Sequence, residues 1–269
     1  MIKIYMEKVS ENDYSQSIKG KAYKVFKVKN GKLYPPMVDN KGGVDTPTGV
    51  WLDAEEGEFA GLSATGRKQV KASGGGKLAY RPGWHLGDLP VATQFDRAAT
   101  FEYINEDEIG DVKPINVNKF ETFVKSKITP GNAGKIFYIK DKKQYVRVYT
   151  DGKPHLPYDF IWAECEYVMD INYQDEATEM GYMRTRKDGT TYKSSKYQHS
   201  YAGLPKLPTN GYYRYRTNPK PDTVPWVITG AMKVVKLLDD FEVDRISSGR
   251  APVRQGGMAT LKELGLKQI

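Results

Sequence analysis

The stretch Ala22-Tyr23-Lys24-Val25-Phe26-Lys27-Val28 sets the reading of the whole chain. Apolar residues and lysines alternate along it at short period, which predicts a half-buried strand. Asn30-Gly31 follows, the strongest short signal for a tight hairpin turn, and Lys32-Leu33-Tyr34 is the returning strand. Pro35-Pro36 then ends the pairing, because proline has no N–H to give to a ladder. The same punctuation continues throughout. With 26 glycines and 15 prolines in 269 residues, the chain is cut into short segments, and sheet is favoured over long helices.

Working outward, Gly49-Val50-Trp51-Leu52 is a further short strand, and residues 61–77, rich in Gly, Ser and Lys, read as a mobile loop. Leu78 to Leu86 is a strand that feeds a short helix, with Asp88 as N-cap, Pro90 in the first turn and Leu89, Ala92 and Phe95 on one face. Residues 97–157 differ in composition. They hold an acidic run from Glu102 to Asp111, then a helix over 117–128 with Val117, Phe120, Val124 and Ile128 on one face and an Asn118/Glu121 capping box. A hairpin follows, 135–139 with 145–149. Phe160 to Val168 is a strong strand, residues 174–180 are a short helix ended by Gly181, and 182–210 are a long polar loop. Tyr212 to Arg216, Val224 to Thr229 and Met232 to Leu237 are strands, and Asp239 with Glu242 caps a last helix. The expected fold is a mixed α+β protein with a twisted, mainly antiparallel sheet and short helices. Its main domain spans 1–96 and 158–246, with an inserted subdomain at 97–157 and a loosely held basic tail at 247–269.

Composition narrows the functional classes. Lys+Arg is 41 and Asp+Glu 33, a net charge of +8, which favours polyanionic partners over acidic ones. The single cysteine excludes an internal disulfide and a Cys-rich zinc site, and fits a reducing compartment or a virion. No apolar stretch approaches the roughly 20 residues of a membrane helix, so no membrane partner is expected. Met1 to Met6 lacks an apolar signal core and reads as a first strand. There are 19 tyrosines, many beside basic residues, as in Tyr212-Tyr213-Arg214-Tyr215-Arg216. Aromatic faces next to cations suit stacking on a base or nucleotide ring.

Complete catalytic motifs are absent. Gly61 to Lys68 has the glycine spacing of a phosphate loop, but Arg67 and Lys68 stand where Lys and Ser or Thr are needed. His85, His155, His199 and Cys165 are scattered in sequence, so no metal site is expected. Two stretches carry more. In Tyr80 to Phe95, Arg81 and His85 share a strand face ahead of the expected helix N-terminus, a place that attracts anions. The alternative is an edge strand with solvated polar residues. In Glu164-Cys165-Glu166, period two puts both carboxylates on one face. They would serve as an acid/base or ribose-orienting pair, or lie at a solvent-facing strand edge paired with Lys or Arg.

Three blocks resemble an uncharacterised domain of large phage and integrative mobile-element proteins from gut bacteria: Lys24 to Val28 with Gly31 to Pro36, Ala79 to Asp88, and Gly211 to Pro219 through Met232. This resemblance implies a mobile-element context, in the cytoplasm of a bacterial host or in a virion. A shorter stretch, Gly83 to Phe95 with Glu164-Cys165-Glu166, is similar to ADP-ribosyltransferases, although Lys24 and Lys27 stand where their first strand carries Arg or His. The leading expectation is an accessory protein that binds nucleic acid, a nucleotide-bearing partner or another phage or host protein. Its basic surface would comprise Arg81, His85, Tyr197, His199, Tyr201, Tyr213, Arg214 and Arg216. The ADP-ribosyltransferase resemblance implies NAD as cofactor, with Glu166 polarising the ribose, Glu164 engaging the acceptor and Arg81 or His85 holding the dinucleotide. A virion structural protein without ligand is the third reading.

Overall fold

The computed structural model describes residues 10–64, 66–91, 97–186, 188–198, 202–215, 225–254 and 257–269. The strand expected at Met1–Met6 and the body of the helix expected through Ala92 and Phe95 lie outside these residues. In chain order the strands are β1 Lys19–Lys29, β2 Lys32–Tyr34, β3 Trp51–Asp53, β4 Phe59–Leu62, β5 Lys68–Lys71, β6 Lys77–Ala79 and β7 Trp84–Gly87. Then come β8 Arg97–Ile104, β9 Ile115–Val117, β10 Ile136–Ile139, β11 Gln144–Leu156, β12 Phe160–Val168 and β13 Ile171–Asn172. The last are β14 Met183–Thr185, β15 Thr191–Lys193, β16 Gly211–Tyr215, β17 Trp226–Thr229, β18 Ala231–Leu238 and β19 Val253–Arg254. The α-helices are α1 Phe120–Ser126, α2 Gln174–Met180 and α3 Asp240–Ser247. The fold is α+β, mostly twisted, mainly antiparallel sheet with few short helices.

The chain divides into two compact units, one comprising Met1–Val91, Tyr158–Ala251 and Met258–Ile269, the other Ala92–Pro157 and Pro252–Gly257. The first is built on a sheet of order β13-β16-β17-β7-β1-β12-β18-β3, with β2 folded back on β1. Asn30 (φ 53°) and Gly31 (φ 71°) make the β1–β2 turn, both in the left-handed region that a two-residue hairpin of this hand requires. Lys21 lies opposite Glu166, Tyr23 opposite Glu164 and Lys27 opposite Phe160, so β1 and β12 form the antiparallel centre. One face of this sheet carries Ala22, Phe26, Leu86, Ala163, Cys165, Val227 and Met232 into the main core, where Leu266 joins them.

The half-buried reading of β1 fails at its middle. Residues 22–26 are all buried, Lys24 included at 8 % exposure, because a central strand is covered on both faces. Three further expectations are corrected. Residues 61–77 are not a loop: β4, β5 and β6 form a small antiparallel sheet. Residues 182–210 contain the hairpin β14–β15, whose strands are too short and polar to show apolar periodicity. Part of the expected tail is held, since Leu261, Leu264 and Leu266 pack on the main core and α3 is fastened to it by Ala259 N–H donating to Asp240.

In the second unit the sheet order is β19-β11-β10-β9, with β8 on β11. Val117, Phe123, Phe137, Ile139, Val146 and Val148 form its core. The helix begins at Phe120 rather than Val117, which turns Phe123 inward and leaves Val124 exposed. Its N-terminus is not capped by Asn118. Instead both carboxylate oxygens of Asp141, in the β10–β11 turn, lie 3.1 Å from the Phe120 nitrogen and accept its N–H.

Candidate functional site

Glu164 and Glu166 occupy one face of β12, with Cys165 buried on the other. Lys21 Nζ is 2.7 Å from Glu164, and Lys233 Nζ is 2.7 Å from Glu166. Both carboxylates thus end in ion pairs with lysines of the neighbouring strands, as the alternative reading expected, but β12 is a central strand between β1 and β18 and not a sheet edge. Lys233 also lies 5.3 Å from the Trp51 ring, and the hydrogen bond to Glu164 raises the pKa of Lys21. Such part-exposed pairs contribute about 0–1 kcal/mol each.

His85 sits on β7 between β17 and β1. Its Nε2 is 3.1 Å from the Arg81 carbonyl oxygen. A carbonyl only accepts, so Nε2 carries the proton and donates it. Burial lowers the imidazole pKa to about 4; the bond to Arg81 opposes this, and the charges of Lys24 and Arg81 add to it. The imidazole is therefore neutral near pH 7. The Arg81 guanidinium lies 4.3 Å from the centre of the Tyr215 ring. On the other side of β7, Lys24 Nζ donates to the His85 carbonyl at 3.1 Å and lies 5.5 Å from the Trp84 ring. Burial lowers the Lys24 pKa to about 8 and raises that of the Cys165 thiol to about 12.

Arg81 and His85 are thus brought together, but Glu166 is not brought to them. Tyr23 pairs with Gly87, so His85 runs toward the Val25 end of β1, whereas Glu166 lies opposite Lys21 and on the far neighbour of β1. Four residues along the strand and two strands across amount to roughly 13 Å and roughly 10 Å. No cleft of Arg81, His85 and Glu166 forms, which corrects the grouping the enzyme reading required.

The Tyr-rich strand β16 is corrected in the same way. Tyr213 is fully buried, and its hydroxyl points at the Leu204 backbone without a standard hydrogen bond among the described residues. Burial raises its pKa to about 12, and its ring is not available for stacking. Arg214 projects from the opposite face of β16 and pairs with Asp88. That pair uses the carboxylate assigned to a helix N-cap; residues 88–90 form a bend. Tyr197 packs its ring against Gly181 and, at 5.2 Å, against Tyr182. His199, Tyr201 and Arg216 lie outside the described residues. No exposed surface is assembled from the described members of this set.

Another element, missed in the sequence, carries basic groups packed on tyrosines. The β14–β15 hairpin turns at Asp188-Gly189, where Gly189 has φ 84° and Asp188 accepts from the Thr190 N–H at 2.9 Å. Asp-Gly is a hairpin signal, and it could have located the element. The Arg186 guanidinium lies 4.5 Å from the Tyr192 ring centre, and Lys193 Nζ lies 5.8 Å from that of Tyr182. Arg67, in the turn before β5, donates to the Met183 carbonyl at 2.9 Å and ties the small sheet to this hairpin. Beside it, Lys68 Nζ lies 5.3 Å from the Tyr80 ring. Acidic groups lie among them: Glu179 pairs with Lys193, Glu58 with Lys71, Glu56 is hydrogen-bonded to Tyr80, and Asp188 is held in the turn.

Among the described residues no group of three or more His, Cys, Asp and Glu gathers as a metal site, and no helix is long and apolar enough to cross a membrane. No family model, no curated protein and no solved structure matches the chain.

Proposed function

We propose that this protein binds nucleic acid through the side of the β14–β15 hairpin that carries Arg186 and Tyr192, as an accessory protein of a phage or mobile element. The observation that carries the reading is the pairing of the Arg186 guanidinium with the exposed Tyr192 ring, with the cations Lys68 and Lys193 lying against the half-buried rings of Tyr80 and Tyr182 nearby in the same region. Cations at such a face neutralise phosphates and release counterions, and rings beside them offer flat apolar surface to bases. The net charge of +8 adds long-range attraction. The mobile-element context rests on the resemblance of the β1–β2, β7 and β16–β18 sequence blocks to the phage and integrative-element domain.

The test is binding to labelled DNA as a function of salt. Affinity should fall steeply as salt rises, and Lys68→Ala with Arg186→Ala should flatten the slope by about two phosphate contacts. Affinity that does not respond to salt, or a slope unchanged in the double variant, would remove this face from the interaction.

A further inference from the structure

The same face differs from a simple phosphate-binding patch in one respect. Its Tyr192 ring stands at the surface, at 41 % exposure, with all three residues of β15 exposed. The Arg186 guanidinium lies against the Tyr192 ring and holds it in place, while Arg186 itself is fastened to Thr190 by a 3.3 Å hydrogen bond. The ring is therefore positioned before any ligand arrives, which lowers the ordering cost of stacking on it. A duplex presents phosphates and groove edges to a shallow surface and keeps its base faces inside the stack. A single strand can turn a base onto the ring and place its phosphate beside the neighbouring cation. Lysines and arginines without rings would serve either form equally.

We infer that the β14–β15 face selects single-stranded over double-stranded nucleic acid, with Tyr192 as a stacking platform. The inference rests on the nucleic-acid reading above and names its substrate class. Tyr192 lies on an exposed hairpin strand, so its replacement leaves the buried core intact.

The experiment compares a fluorescein-labelled single-stranded DNA oligomer with the duplex made from it, at equal low salt, on the full chain. Single strands should bind more tightly. Tyr192→Ala should weaken single-strand binding about tenfold, within the range measured for loss of one base–aromatic stack, and leave duplex binding unchanged. Tyr192→Phe should keep single-strand affinity, since the ring and not the hydroxyl makes the contact. Equal affinity for the two forms would overturn the inference. So would an equal effect of Tyr192→Ala on both, or a loss in Tyr192→Phe as large as in Tyr192→Ala. These three results leave the nucleic-acid reading standing. Failure of both oligomers to bind would overturn that reading and the inference with it.

Discussion

Lys24 is an ammonium group inside the main core, with one hydrogen bond to the His85 carbonyl and aromatic rings around it. A buried charge is costly, and the cost shows as a pKa lowered by burial from 10.5 to about 8. The sign of its effect follows by linkage. Between about pH 8 and 10.5 the unfolded chain keeps the proton and the folded chain releases it, so this group makes stability rise with pH across that window. Below about pH 8 the penalty is fully present, on the order of 3 kcal/mol. Lys24→Met removes the charge and keeps the volume. Measured by denaturant unfolding, the stability difference between Lys24→Met and the native chain should shift in favour of the native chain as pH rises from 8 to 10.5. A pH-independent difference would show that the ammonium charge is not the source of the cost. Comparing the two proteins also cancels Tyr80 and Tyr213, whose pKa values burial raises to about 12 and which titrate in the same alkaline region.

At the scale of elements, the β17–β18 connection depends on one close approach. A Cβ on Gly230 would stand 2.0 Å from the Pro208 carbonyl oxygen and 2.6 Å from the Thr209 Cα, both backbone atoms that cannot rotate away. The loop is fixed in that place because Gly211 N–H donates to the Pro208 carbonyl and Gly230 N–H donates to the Gly211 carbonyl. Gly230→Ala should therefore lose about 1–3 kcal/mol or more, as overpacked sites do. Gly74→Ala, where a Cβ meets nothing within 4 Å, should stay within about 0.5 kcal/mol. Equal thermal stability of the two variants would show that the loop yields. Sequence reading found the elements that declare themselves locally: the Asn30-Gly31 hairpin, the apolar run of β12, the Gly181 stop of α2, and the α3 cap, where Asp239 accepts from the Glu242 N–H at 2.9 Å. It did not find the small sheet or the β14–β15 hairpin, because strands of three or four residues are too short to carry a periodic signal. It also grouped residues that the described structure keeps apart. Whether Tyr213 stacks on a ligand or lies buried depends on what covers its face of β16, and whether Asp88 caps a helix or pairs with Arg214 depends on a residue far along the chain. The lysine partners of Glu164 and Glu166 likewise come from β1 and β18.

For the whole molecule the central fact is that β1 and β12, neighbours at the middle of the main sheet, are separated by all of residues 30–159. In contrast, β10 and β11 pair across a short turn, and α1 precedes them closely. Long loop closure slows folding, whereas local pairing is fast. Pulsed hydrogen exchange during refolding should find the amides of β10 and β11 protected first and those of β1 and β12 later, within the milliseconds-to-seconds range of nonlocal sheets. Simultaneous protection would mean that the two units fold as one step. During synthesis the delay is longer. At roughly 5–20 residues per second, the ribosome needs on the order of ten seconds after finishing β1 before it delivers β12. For that interval the nascent chain holds Ala22 and Phe26, destined for the core, on a strand that lacks its hydrogen-bonded neighbour. Factors that bind exposed apolar segments of emerging chains would therefore have their main target in the first thirty residues, and soluble yield in the cell would depend on translation speed through the middle of the message.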